Sequence, residues 1–282
     1  MNLYAIAMGA LGAGLGALLA SPLQKRWPRH ALTVRVVAVV GAMTLATNVG
    51  GPMLTKLQDA QRLRTQASAV FANPQVVDAF VEETSQLSHS PAFVAWMERQ
   101  VSERALAPER AQEEVALLTQ RGAARLSDSD LSRMAELKAK LAANSPALCA
   151  GFFTGQVEGK DLFGALDKLA STDAHAWFGL STRAAQLELA ASPPARGIDA
   201  KDLEHALAAL VTALGVERGG FLTQVLNESD ARSESERCQA FQLLAKQTKT
   251  LPASTGLLLT RYIAAPQLLT SDAQVEGSPV VE

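Results

Sequence analysis

Residues 74–121 read PQVVDAFVEETSQLSHS, PAFVAWMERQVSERALA and PERAQEEVALLTQR, three segments that each open on a proline, Pro74, Pro91 and Pro108. Proline suits the first helical turn, where its missing N–H has no partner to lose. The residues just before (Asn73, Ser90 and Ala107) are plausible boundaries. Within each segment apolar residues recur at three and four, and the strict alternation of a half-buried strand is absent. The reading is three successive antiparallel helices over 74–88, 91–106 and 108–121. A 17-residue unit is too short for a helix-pair repeat, so a solenoid is not implied.

The same pattern continues C-terminally. Leu131, Met134, Leu137 or Lys138, and Leu141 trace a stripe behind a cap region at Ser127-Asp128, and Ser145-Pro146 opens a short apolar helix through Phe153. Trp177, Leu180, Ala184 and Leu187 mark another helix. Asp199 is the expected N-cap of a helix with the face Leu203, Leu207, Leu210, Val211 and Leu214, stopping at Gly215. Ser233 and Glu236 make a capping box ahead of a helix that carries Cys238 and Phe241. Ser192–Gly197 is the clearest loop, and the chain from 266 to 282 reads as a disordered tail. One all-α domain of about eight to ten helices over 56–265 is therefore expected.

N-terminal to that domain the chain changes character. Leu3–Ala20 and Val36–Leu54 are uncharged runs, each near the roughly 20 residues that span a bilayer as a helix. The loop between them carries Lys25, Arg26, Arg29 and Arg35, and the first acidic residue of the chain is Asp59. This is the layout of a two-helix transmembrane hairpin over residues 1–55. Gly12 and Gly16 form a small-xxx-small spacing that would let the two spans approach closely. A cleaved signal peptide would need a basic start, which Met1–Tyr4 lacks. Two buried helices of a soluble protein are the other alternative, favoured by the interruptions at Asn48, Gly50, Gly51 and Pro52. The denser basic loop should remain cytoplasmic. That orientation puts the helical domain in the periplasm of a bacterial inner-membrane protein.

The net charge of -2 over 282 residues divides accordingly. The first 54 residues are all basic in their charge, and the excess of acid lies entirely in the remainder. No basic surface of the kind that reads phosphate is implied, so nucleic acid is not an expected partner. Cys149 and Cys238, the only cysteines, both fall in the part expected to be exported, where oxidation would pair them. As free thiols they would be small buried apolar residues.

Motifs for chemistry are sparse. Gly155–Asp161 resembles a phosphate loop but is one residue short and ends in Asp; a turn joining helices explains it better. Gly179-Leu180-Ser181-Thr182-Arg183 lacks the closing glycine of a nucleophile elbow. His30, His89, His175 and His205 are isolated, so no metal site and no cofactor are expected. Glu82, Glu83, Glu113 and Glu114 lie on polar helix faces where solvation is the ordinary explanation. Asp173, His175 and Trp177 form the one cluster that joins an acid, an imidazole and an aromatic ring. The function expected is a membrane-anchored, periplasm-facing protein-binding module without catalysis, either an envelope assembly factor or an immunity-type protein that binds a toxin. An envelope hydrolase with a dispersed carboxylate site, and a lipid or small-molecule carrier, are the alternatives. The membrane partner is the bilayer, through residues 3–20 and 36–54.

Overall fold

Asn73, Ser127, Ser145, Asp199 and Ser233 each turn a side-chain oxygen onto a free backbone N–H at the start of a helix, and these caps set the frame of the domain. The computed structural model describes residues 55–104 and 108–270. The expected membrane hairpin, with Gly12, Gly16, Lys25, Arg26, Arg29 and Arg35, lies outside the described residues, as does the chain beyond Thr270.

Eleven helices follow in order among the described residues: α1 (Thr55–Ser68), α2 (Pro74–Ser88), α3 (Pro91–Arg104), α4 (Pro108–Gly122), α5 (Asp128–Ala142), α6 (Pro146–Thr154), α7 (Gly159–Leu166), α8 (Ser171–Leu189), α9 (Ala200–Asn227), α10 (Glu234–Gln247) and α11 (Ala253–Ala264). The fold is predominantly helical, with one more helix than the upper end of the expected range. The three proline-led segments are helices with nearly the expected bounds. Ser233 and Glu236 form the reciprocal capping box. Gly155–Glu158 is the turn between α6 and α7, but Gly159–Leu166 then coils into a helix because Leu162, Ala165 and Leu166 bury one face. Past the expected boundary at 265, Pro266–Leu268 makes a helical turn. Beyond it, Leu269–Thr270 (β2) pairs in parallel with Ile198–Asp199 (β1). Burial of Ile198 and Leu268 holds this closure, so the folded unit runs to residue 270.

The largest core joins α1, α2 and α5 through α11, with α8 at its centre contributing Ala174, Trp177, Phe178, Leu180 and Ala184. Phe71, Phe80, Phe163 and Phe178 meet there with centroids 5.2 to 5.9 Å apart, mostly edge to face, the arrangement aromatic quadrupoles favour. A smaller cluster of Leu87, Phe93, Trp96, Met97, Val115, Leu118 and Ala185 pins α3 and α4 against the C-terminal half of α8. Cys149 of α6 and Cys238 of α10 are disulfide-bonded, with Cα atoms 4.8 Å apart and a separation of 89 positions in sequence.

Helix α9 is two helical arms that meet at a break. Gly215, at φ 76° and ψ 179°, stands in a region essentially restricted to glycine. The chain folds back there, so that a Cβ on Gly219 would overlap the carbonyl of Val211. The expected stop at Gly215 is therefore a corner. Gly215→Ala should lose about 1–3 kcal/mol of stability in urea unfolding, since an alanine must adopt that strained backbone even though nothing crowds its Cβ. Gly220→Ala, five residues on at an exposed helical position with open space around it, should instead gain about 0.5–1 kcal/mol.

Candidate functional site

A helix rotates about 100° per residue, so Asp173 and Trp177 share one side of α8 while His175 faces the other. The structure follows that rule, and it separates the cluster the sequence singled out. Asp173 is buried against α5, where its carboxylate accepts from Lys140 Nζ at 2.8 and 2.9 Å and from Arg133 Nη2 at 2.6 Å. The hydrogen bond from Lys140 and then that from Arg133 hold its pKa below the ordinary aspartate value, against the opposing effect of burial. It clamps α8 to α5. Trp177 is a core residue, and its indole N–H makes no hydrogen bond among the described residues.

His175 looks toward α2. Its Nδ1 lies 3.5 Å from Glu83 Oε1 and 3.9 Å from Glu82 Oε2. One turn further along, Ala176, Gly179, Leu180, Thr182, Arg183 and Gln186 of α8 face Glu83 and Gln86 of α2 across a groove of about 450 Å³. The missing side chain at Gly179 makes its floor: a Cβ there would lie 3.2 Å from Glu83 Oε2. Thr182 Oγ1 donates to the Glu83 backbone carbonyl at 3.1 Å and fixes the α2 wall. The Glu83 side chain is 16% exposed, largely withdrawn from water, with the imidazole as its titratable neighbour. Arg183 stands at the other wall, 61% exposed and 3.6 Å from Asp130. The groove is open to solvent, and carboxylate, carboxamide and guanidinium groups line it. Such a lining can both donate and accept hydrogen bonds. Ser181 is not poised as a nucleophile, because its hydroxyl donates to the Trp177 carbonyl at 3.0 Å. Among the described residues no cluster of three His, Cys, Asp or Glu could hold a metal ion.

The sequence alone presents Glu83 as ordinary solvated surface and leaves Lys138 interchangeable with Leu137. Lys138 takes a different role: its Nζ donates to the carbonyls of Ile263 at 3.1 Å and Ala264 at 2.7 Å, at the C-terminal end of α11, and lies 5.5 Å from the centre of the Phe152 ring. The ammonium thus meets the negative end of a helix dipole and an aromatic face. Burial lowers its pKa to about 8. Its place beside Leu137 in an apolar stripe is the available signal.

No protein-family model matches the chain, and comparison with curated proteins and with solved structures gives no match either.

Two pH dependences follow from these groups. The Asp173 clamp contributes stability above the ordinary aspartate pKa of 3.8 and loses it as pH falls through the depressed folded value. Urea midpoints should therefore separate wild type from Asp173→Asn at pH 7 and converge in acid. Lys138 acts in the opposite sense. Below about pH 8 both states carry its proton and the burial cost is fully present; between about 8 and 10.5 the unfolded chain holds the proton more tightly, so stability rises with pH. Lys138→Met should lack that rise, and a difference between the two proteins that stays constant from pH 7 to 9.5 would contradict it.

Proposed function

We propose that this chain is a membrane-anchored helical binding module whose domain works on the extracytoplasmic side of a bacterial inner membrane. Its role in that reading is to hold another protein: an envelope assembly factor, or an immunity-type protein that neutralises a toxin. The observation that carries the binding reading is the groove between α2 and α8. Its walls carry Glu83, Gln86, Arg183 and Gln186 beside Ala176, Gly179 and Leu180, a mixed surface open to solvent, where a lipid carrier would use an enclosed apolar cavity. A partner segment laid along it would complete hydrogen bonds to both helices.

The location is supported by the paired cysteines and by charge. Disulfides persist in oxidising compartments, and the Cys149–Cys238 pair is buried between α6 and α10. Closing 89 residues of chain contributes about 4–5 kcal/mol on the loop-entropy account. The uncharged runs at 3–20 and 36–54, with four basic residues between them, supply the anchor and its orientation.

Site-specific photo-crosslinking in cells tests the binding reading. With a photoreactive amino acid at Gln186, the full-length protein should yield a discrete adduct with one other protein. The adduct should fall roughly tenfold when Glu83→Arg reverses the charge of the α2 wall, the range expected for a desolvated polar contact. An adduct untouched by that change, or none at all at normal protein levels, would remove the groove from the interface. A C-terminal alkaline phosphatase fusion should be active, and mass analysis without reductant should find no free thiol.

A further inference from the structure

The apolar run Ala206–Val216 (ALAALVTALGV) has no charged side chain between His205 and Glu217. On the inner face Leu203, Ala206 and Leu210 are buried; on the outer face Ala208, Ala209, Thr212 and Ala213 are exposed, and Val216 at the corner is 97% exposed. Surface helices ordinarily place charge on such a face. Among the described helices, α9 alone is long and apolar enough to cross a membrane by composition, yet only 22% of its apolar window is buried. The break at Gly215 prevents it from crossing. Its first arm, Ala200–Leu214, is roughly 22 Å long at 1.5 Å per residue, short of the roughly 30 Å of a hydrocarbon core. What it presents is a blunt apolar corner.

We infer that the α9 corner, centred on Val216 with Leu214 and Ala213 beside it, docks into the lipid bilayer surface next to the chain's own anchor. The inference rests on the anchoring proposed above. The uncharged run ends at Leu54 and helix α1 is described from Thr55, so the proposed anchor and the domain are immediate neighbours in sequence. A domain tethered that closely keeps part of its surface in continual contact with lipid, and the exposed apolar corner is the part whose burial there releases water. Glu217 and Arg218 follow directly and limit entry to the interfacial layer, roughly 5–10 Å deep, with Arg218 long enough to reach back to phosphate groups. The corner then acts as a second foot. It fixes the tilt of the domain over the membrane, which one covalent tether does not.

Full-length protein carrying Val216→Trp, reconstituted in phosphatidylethanolamine–phosphatidylglycerol vesicles with brominated acyl chains, tests this. Fluorescence of the unsubstituted protein, which carries Trp27, Trp96 and Trp177, is subtracted, and Gln239→Trp on the exposed face of α10 serves as the solvent reference. The expected result is a blue-shifted signal from the indole introduced at the corner, quenched roughly twofold or more by bromolipid, as for an interfacial side chain, with the reference unquenched. Adding Ala213→Glu should abolish the quenching and leave the unfolding midpoint in place, since Ala213 is exposed. Carbonate extraction of the same vesicles reads the anchor separately. Protein that resists carbonate while the corner indole stays unquenched would overturn the corner inference and leave the anchor standing. Protein released by carbonate would remove the anchor reading, and quenching measured before extraction would then decide the corner alone. A blue shift without quenching would mean that a second copy or another protein covers the corner, and would equally overturn the inference.

Discussion

The close approach of other helices to α8 is the constraint on which the domain depends. Ala174, Ala176, Gly179, Ala184 and Ala185 leave little side chain on its surface, so α2 can lie along one side and α4 along another. The tightest point is at the end of α4, where any Cβ on Gly122 would overlap the Ala184 carbonyl. Larger residues at these positions would push the walls apart. The edge-to-face phenylalanine cluster and the Thr182–Glu83 bond would separate together, because both require α2 and α8 at their present spacing. The groove owes its floor to the same small residues, so packing and candidate site share a cause.

Helix starts were legible because capping is local: Asn73, Ser127, Ser145, Asp199 and Ser233 each act within three residues of themselves, and proline at the first turn needs no tertiary partner. What depended on distant chain was not legible. Gly155–Asp161 looks like a turn in isolation, and the helix that starts inside it at Gly159 is stabilised by burying one face against the rest of the core. The closure at Leu269–Thr270 needs Ile198, about 70 residues earlier. Gly215 announces an ending, and nothing in sequence says whether the chain will leave, continue or double back.

The candidate site shows the same division. Asp173, His175 and Trp177 look like a group because they are close in sequence, yet spacings of two residues place His175 opposite to the other two. Asp173 finds its partners in Arg133 and Lys140, and His175 finds Glu83, about 90 residues away. Local signals identify which residues are chemically capable, and the helix period decides which of them can act together. The pairings that matter here are long-range, and a single sequence carries no record of them.

The disulfide has a topological effect separate from its energy. Everything from α7 to the start of α10, including the exposed loop 191–197, lies inside the ring closed by Cys149 and Cys238. A protease that cuts this loop produces two peptides that stay covalently joined. Both halves keep their helices against α8 and α5, and in the anchored protein proposed above the N-terminal tether still holds the C-terminal half. The domain can thus be nicked at its most accessible point without shedding α9 to α11, for as long as the bond remains oxidised.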